Sequence, residues 1–352
     1  MSVNLKDIAK LARVSTATVS RVLNDKIRGN MRQETYERIK RIIRETGYTP
    51  HALASGLRKG FSKVVGVIIP DNVNPYYAQL SKSVEQECFK HGYLTLICNT
   101  NSDVNRERYY MRHLTGQRVS GILFCSTGLS GSEIKSLAHP GMRIILLDEE
   151  LSDYDGEVVV GDDFKGGYIG AQYLFGLGHS SILLITGLDT LSSTHNRLSG
   201  FFRFVRESGK KFIPDMKFEG NYTIDSGFKA VNEAIRRGLD FSAIFSFNDM
   251  MAIGAIKALV SHKIKVPEDV SVLGYDNIFI DELIKPSLTT VATPFEELGR
   301  LAVQKLLGFV KDKMAGEKRL LLSPTLIERE TCIPYNGRSS LRGGKNAYRK
   351  DR

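Results

Sequence analysis

From Lys63 onward, short apolar runs alternate with amphipathic stretches, and this alternation limits the fold more than any other feature of the chain. The runs Val64–Ile69, Tyr93–Cys98, Gly121–Cys125, Arg143–Asp148, Ser181–Thr186, Ala243–Phe247 and Val270–Gly274 read as strands. Between most of them lie stretches with helical spacing: Ala78–His91, Arg106–Thr115, Lys165–Leu177, Arg197–Glu207, Ser226–Arg236 and Asp249–Ser261. Repeated strand–helix units build a mostly parallel sheet with helices on both faces. So many elements in roughly 270 residues suit two subdomains better than one sheet. Ligands in such folds bind beyond the carboxyl ends of the strands, so polar residues just after each apolar run are candidates for a site.

The first 48 residues show helical spacing alone. Leu5, Ile8, Ala9 and Ala12 share one face of a first helix. Ser15 can cap a second helix that buries Val19, Val22 and Leu23. A third runs from about Gln33 to Thr46, with Ile39, Ile42 and Ile43 inward and Gly47 as its stop. The division expected is a helical head over 1–49, a linker over 50–62, an α/β region over 63–335 and a basic, disordered tail over 336–352. The linker holds Pro50, Gly56 and Gly60, which leave it weakly helical at best, and the tail has no apolar period.

Charge supports this division. The net charge is +10, but residues 61–336 carry 30 Lys/Arg against 33 Asp/Glu. The excess lies in residues 1–60, with 13 basic and 5 acidic residues, and in 337–352, with 6 and 1. A basic head on a near-neutral body fits a modular binder of nucleic acid. On the second helix, burial of Val19, Val22 and Leu23 turns Thr16, Ala17, Ser20, Arg21 and Asn24 outward. Small residues permit close approach to a major groove, hydroxyls bond phosphates, and an arginine can read guanine with two hydrogen bonds.

Several functions find no support. Cys88, Cys98, Cys125 and Cys332 show no metal-like spacing and read as reduced thiols. The N-terminus, interrupted by Lys6, Asp7 and Lys10, does not read as a signal peptide, and nothing resembles a membrane span, so a cytoplasmic protein is expected. No phosphate-binding loop, nucleophile elbow or zinc-protease motif occurs, and Asp162-Asp163-Phe164-Lys165-Gly166-Gly167 reads as the start of a helix. The expectation is no enzyme, no catalytic residue, no cofactor and no metal. A transport protein for sugars would fit 63–333 alone but not the basic head.

The segments Leu5-Lys-Asp-Ile-Ala-Lys-Leu-Ala12, Val14-Ser15 and Thr18-Val19-Ser20-Arg21-Val22-Leu23-Asn24 resemble the lactose-repressor (LacI/GalR) family. So do Gly47-Tyr48-Thr-Pro50, Val65-Gly-Val-Ile-Ile-Pro-Asp71, Asn74-Pro-Tyr-Tyr77, Asn248-Asp-Met-Met-Ala-Ile-Gly254, Val266-Pro-Glu-Asp-Val-Ser271, Gly274-Tyr-Asp276 and Pro286-Ser-Leu-Thr-Thr-Val291. These motifs fall in order over residues 4 to about 333. In three places the chain departs from the pattern. Arg13 replaces the glycine of a left-handed turn position, at a cost of about 1 kcal/mol. Arg32 replaces the serine that caps the third helix, leaving Asn30 or Thr35 for that role. His51 replaces an asparagine in the linker.

The resemblance implies an all-α helix-turn-helix head joined to an α/β, periplasmic-binding-protein-like sensor domain of two parallel-sheet subdomains. It implies a homodimeric repressor that binds palindromic double-stranded DNA and responds to a small-molecule effector. Ser15, Thr16, Ala17, Thr18, Ser20, Arg21 and Asn24 would face DNA. Residues 51–59 would form a hinge helix, with Leu57 wedged into the minor groove and Ala54 near the dimer axis. Asp71, Asp148, Arg197, Asn248 and Asp276 match effector contacts, and Tyr76 and Tyr77 could stack on a ring. Such a mixture of donors and acceptors suits a polyhydroxylated ligand, a carbohydrate above all. Asp163 and Asp249 read instead as helix caps or turn residues, and Arg197 as opening a helix.

Overall fold

A computed structural model describes residues 3–23, 31–48, 62–309 and 316–337. Its contacts separate Met1–Lys63 from Val64–Arg352.

In the first unit, α1 (Leu5–Leu11), α2 (Thr16–Leu23) and α3 (Gln33–Thr46) surround a core of Ile8, Ala9, Ala12, Val19, Val22 and Ile39. Asn4 and Asp7 form a reciprocal capping box on α1. Ser15 caps α2: its hydroxyl accepts from the Thr18 N–H at 3.2 Å. Between these helices Arg13 adopts the left-handed conformation, φ 52°, as the missing glycine requires. Arg32 occupies the N-cap of α3 without a side-chain capping bond, and Thr35 lies inside the helix. Asn30 is outside the described residues. Gly47, φ 62°, ends α3.

The second unit holds two six-stranded sheets. The first consists of β1 (Val64–Ile69), β2 (Leu94–Asn99), β3 (Gly121–Phe124), β4 (Ile144–Leu147), β5 (Glu157–Gly161) and β11 (Arg319–Leu322), in the order β11-β5-β4-β3-β1-β2, all parallel. Helices α4 (Pro75–Lys90), α5 (Val104–Gly116), α6 (Gly131–Leu137) and α11 (Phe295–Leu307) cover it. The second sheet joins β6 (Ile182–Thr186), β7 (Lys217–Glu219), β8 (Ala243–Ser246), β9 (Ser271–Asp276), β10 (Thr289–Ala292) and β12 (Thr325–Ile327) in the order β12-β10-β9-β8-β6-β7. Only β12 runs antiparallel, against β10. Its helices are α7 (Asp163–Gly176), α8 (Ser192–Glu207), α9 (Ile224–Arg236) and α10 (Asp249–Ser261).

The chain passes between sheets three times: from β5 into α7, from β10 into α11, and from β11 to β12. Each lobe therefore mixes early and late sequence. Phe295, Leu298, Leu301 and Leu306 of α11 pack in one core with Val65 and Val67 of β1. The alternation of strand and helix was legible in the sequence; β5, β7, β10, β11, β12, α6 and α11 were not among the elements expected.

Two expectations are corrected. Helix α8 opens at Ser192, so Arg197 lies in its second turn and not at its start. The caps of α7 and α10 are Asp162 and Asn248; Asp163 and Asp249 are the first helical residues, with buried carboxylates. The Gly166-Gly167 pair does fall in a helix, and its reason is packing. A Cβ on Gly167 would lie 1.9 Å from the Arg197 carbonyl oxygen, and one on Gly200 1.9 Å from that of Phe164. Glycine on both helices lets α7 and α8 approach backbone to backbone.

Candidate functional site

The outer face of α2 carries the residues expected to meet DNA. Val19 and Val22 are buried, Ala17 and Arg21 are exposed, and Thr16, Thr18 and Ser20 are half-buried. Ser15 is exposed, and its hydroxyl meets that of Thr18 at 2.9 Å, so this pair also closes the start of the helix. Asn24, Ala54, Leu57 and the hinge segment 51–59 lie outside the described residues, as does most of the basic tail.

In the second unit, a cleft opens between the two lobes at the carboxyl ends of the strands. Its volume is about 240 Å³. Drug-sized pockets begin at roughly 300 Å³, so the space suits a smaller molecule. Asp71, Tyr76, Tyr77 and Asp148 line it from the first lobe, and Arg197, Asn248 and Asp276 from the second. All seven residues named from the sequence thus share one cavity.

Asp148 follows β4 in a left-handed conformation, φ 76°, and Asp276 ends β9 at φ 117°. Non-glycine residues rarely adopt such angles, and strain of this kind gathers at functional sites. Both tyrosine hydroxyls donate to Asp148: Tyr76 to Oδ1, and Tyr77 to Oδ2 at 3.1 Å. Burial pushes the Asp148 carboxyl up to about 6 against the lowering effect of Tyr76. It also raises both tyrosines well above their usual range, with Asp148 adding to the effect.

Arg197 is buried and already engaged. Its Nε donates to Asp163 Oδ1 at 2.7 Å, Nη1 donates to the Phe247 carbonyl, and the guanidinium stacks 3.7 Å from the Tyr275 ring. Its Nη2 lies 4.0 Å from Asp276 Oδ1. That oxygen is buried without a hydrogen-bond partner. Burial, opposed by Arg197 and reinforced by Asp249, Asp148 and Asp163, holds Asp276 well above the carboxylate range. Asn248 caps α10 through its oxygen and donates to the Tyr222 carbonyl at 3.1 Å. Asp71 lends one oxygen to a tight turn, accepting from the Val73 N–H at 2.9 Å.

The sequence reading missed Glu149 and Tyr222. Glu149 reaches from the first lobe to the start of α8, where Oε2 accepts from Ser192 Oγ at 2.6 Å and from the Ser193 N–H at 3.1 Å. Ser193 Oγ donates to Oε1. Burial, then Asp148 beside it, pushes Glu149 up to about 7. Its signal was its place directly after an apolar run, in Asp148-Glu149-Glu150. Tyr222 follows β7, a strand too short to stand out, and meets Thr194 Oγ1 at 2.6 Å. Asp163 and Asp249 act behind the cleft. Asp163 holds Arg197, and Asp249 accepts from the N–H groups of Asn277 and Ile278 at 2.7 and 3.1 Å, fixing the turn after Asp276.

A helix-turn-helix unit and a two-lobed α/β unit with a polar cleft define a DNA-binding regulator with a sensor domain. Comparison with known proteins agrees. The family described as "Bacterial regulatory proteins, lacI family" matches residues 4–51, and "Periplasmic binding proteins and sugar binding domain of LacI family" matches 62–330. The chain is 32% identical over 328 residues to the HTH-type transcriptional repressor PurR of Aliivibrio salmonicida (strain LFI1238), covering 93% of this chain and 98% of that protein. Its fold matches the Lac repressor dimer bound to operator and the anti-inducer ONPF, with a TM-score of 0.82, 26% identity, and 95% and 100% of the two chains covered. It also matches the transcriptional regulator CelR in complex with cellobiose, at a TM-score of 0.69, 28% identity, and 94% and 100% coverage. The chain belongs to the LacI family of DNA-binding transcriptional regulators. No helix of the described residues is long and apolar enough to cross a membrane.

Proposed function

We propose that this regulator is a homodimeric repressor whose affinity for a palindromic operator is set by a small polar effector, carbohydrate-like in its hydroxyls, held in the cleft between the lobes. The observation that carries the reading is the origin of the cleft's polar groups: carboxylates from the first lobe face a guanidinium, an amide and a carboxylate from the second. A ligand that bonds to both lobes favours one relative orientation of the two. It changes DNA affinity by its differential affinity for the orientations that bind and release DNA.

In this reading residues 1–49 read DNA, 50–62 link and 63–335 sense. Ser15, Thr16, Ala17, Thr18, Ser20 and Arg21 face the groove, joined by Asn24, Ala54 and Leu57. Asp71, Tyr76, Tyr77, Asp148, Arg197, Asn248 and Asp276 face the effector. Dimerisation is supported by the outer strand β2, which exposes Leu94, Leu96 and Ile97 on an unpaired sheet edge. Natural proteins seldom leave such an edge bare. Two heads related by a two-fold axis would call for a symmetric site. The regulator works as a binding protein, with its polar residues serving recognition and not chemistry.

The test is a thermal-shift screen of the full chain against sugars, sugar derivatives and nucleosides, followed by operator titration with each hit. A compound that stabilises the wild-type chain and not Asp276→Ala, and that moves the operator midpoint, is expected. Hits whose stabilisation survives Asp276→Ala, Asp148→Ala and Tyr77→Phe alike would place the effector elsewhere.

A further inference from the structure

We propose that the effector of this cleft carries a positive charge: an amine on a small polyhydroxylated body. The inference rests on the cleft being the effector site and adds the ligand's charge. The walls of the cleft are unbalanced in their ionisable groups. Among the described residues lining the cleft, Asp71, Asp148, Glu149 and Asp276 are acidic, and Arg197 is the one lysine or arginine. Asp163 balances the charge of Arg197 from behind at 2.7 Å, and Nη1 donates to the Phe247 carbonyl, which leaves Nη2 toward the cleft, 4.0 Å from Asp276 Oδ1.

The cleft also lacks an open seat for an anion. Helix N-termini are the usual backbone sites for phosphates and carboxylates. Four helices begin at this cleft. Asn74 caps α4, Thr223 caps α9 and Asn248 caps α10 with their own side chains. The fourth, α8, has Leu191 at its N-cap and no capping side chain of its own. There Glu149 has taken the place an anionic ligand would use, accepting from the Ser193 N–H and both serine hydroxyls. A phosphate or carboxylate entering this space would meet four acidic side chains and, as cation, the Arg197 guanidinium alone, whose charge Asp163 already balances.

A cation meets the opposite situation. Asp276 lines the cleft with a side chain 5% exposed, and its buried Oδ1 has no hydrogen-bond partner. Asp148 is served by two tyrosine hydroxyls and Glu149 by two serines and an N–H, so neither carboxyl makes an ion pair, and a cation beside them would favour their charged form. An ammonium offers three donors and the missing charge at once. Tyr76, Tyr77 and Tyr222 line the same walls, and aromatic rings attract cations. The hydroxyls of such a ligand would meet Asn221, Thr127 and Ser193 on the same walls.

The experiment is calorimetric titration of the full chain at neutral pH. The probes are D-ribose, D-glucose, D-galactose and D-mannose, each beside its amino-, phosphate- and carboxylate-bearing counterparts. An amine-bearing member should bind at least about tenfold tighter than its neutral parent, and the anionic counterparts should give no binding. Asp276→Asn and Glu149→Gln should each narrow the amine-over-parent ratio several-fold. Equal affinity for parent and amine, tighter binding of an anionic counterpart, or a ratio unmoved in both variants would overturn the charge assignment and leave the cleft as effector site. Absence of binding by every probe would overturn the reading of the cleft itself, and this proposal with it.

Discussion

Glu149 shows how one residue couples the lobes. It sits on the first lobe yet caps a helix of the second, and burial with Asp148 nearby raises it to about 7 from an ordinary value of 4.5. A carboxyl raised in the fold favours folding while protonated. Its contribution is complete below about pH 4.5 and is lost as pH climbs through 7. Glutamine stays neutral throughout. The Tm of Glu149→Gln should therefore gain on that of the wild type between pH 5 and 8, by the equivalent of on the order of 3 kcal/mol. A gap that stays constant over that range would show that the wild-type side chain is ionised throughout. Arg197 is a different case. It anchors Asp163 and lies beside Asp276, so truncation would leave buried carboxylates unpaired and weaken the lobe as well as the site. Asp276, with an oxygen that no donor meets, is the cleaner place to alter ligand response.

At the scale of elements, α2 presents Arg21 outward while Val19 and Val22 anchor it. Arg21→Ala should cost about 1–3 kcal/mol at one operator position and relax the preference there. Binding measured across operators varied at each base distinguishes the roles: an equal loss on every sequence would make Arg21 a phosphate contact. Periodicity made this helix legible, because three apolar positions assign its inner face and leave the rest outside. It also made the longer strands and helices of the sensor legible. It failed for β7 and β12, three residues each, and for α6, which carries only Ile134 and Leu137 as large apolar positions. Asp163 and Asp249 were misread because an aspartate at a helix start looks like a cap; only the fold shows that their neighbours cap and that they turn inward. The seven effector candidates rested on strand ends and family motifs, and the fold brings them to one cavity. Glu149 stood at such an end too, but its partners lie more than 40 residues away on the other lobe.

Across the whole molecule, the three crossings between sheets set the mechanism. They tie the lobes at one side and leave the carboxyl ends of both sheets facing a shared space, so that a ligand contacts both lobes at once. In the proposed mechanism, occupancy of this space is read out as DNA affinity. Titration of a fluorescent operator, selected from random duplex DNA with the full chain, tests this directly when run with and without a saturating cleft ligand. The selected sites should be palindromic. The ligand should move the binding midpoint by about 5- to 150-fold, the range of ordinary allosteric coupling, and Asp276→Ala should erase that shift. An unchanged midpoint in the wild type, with calorimetry showing the cleft filled under the same conditions, would contradict the account.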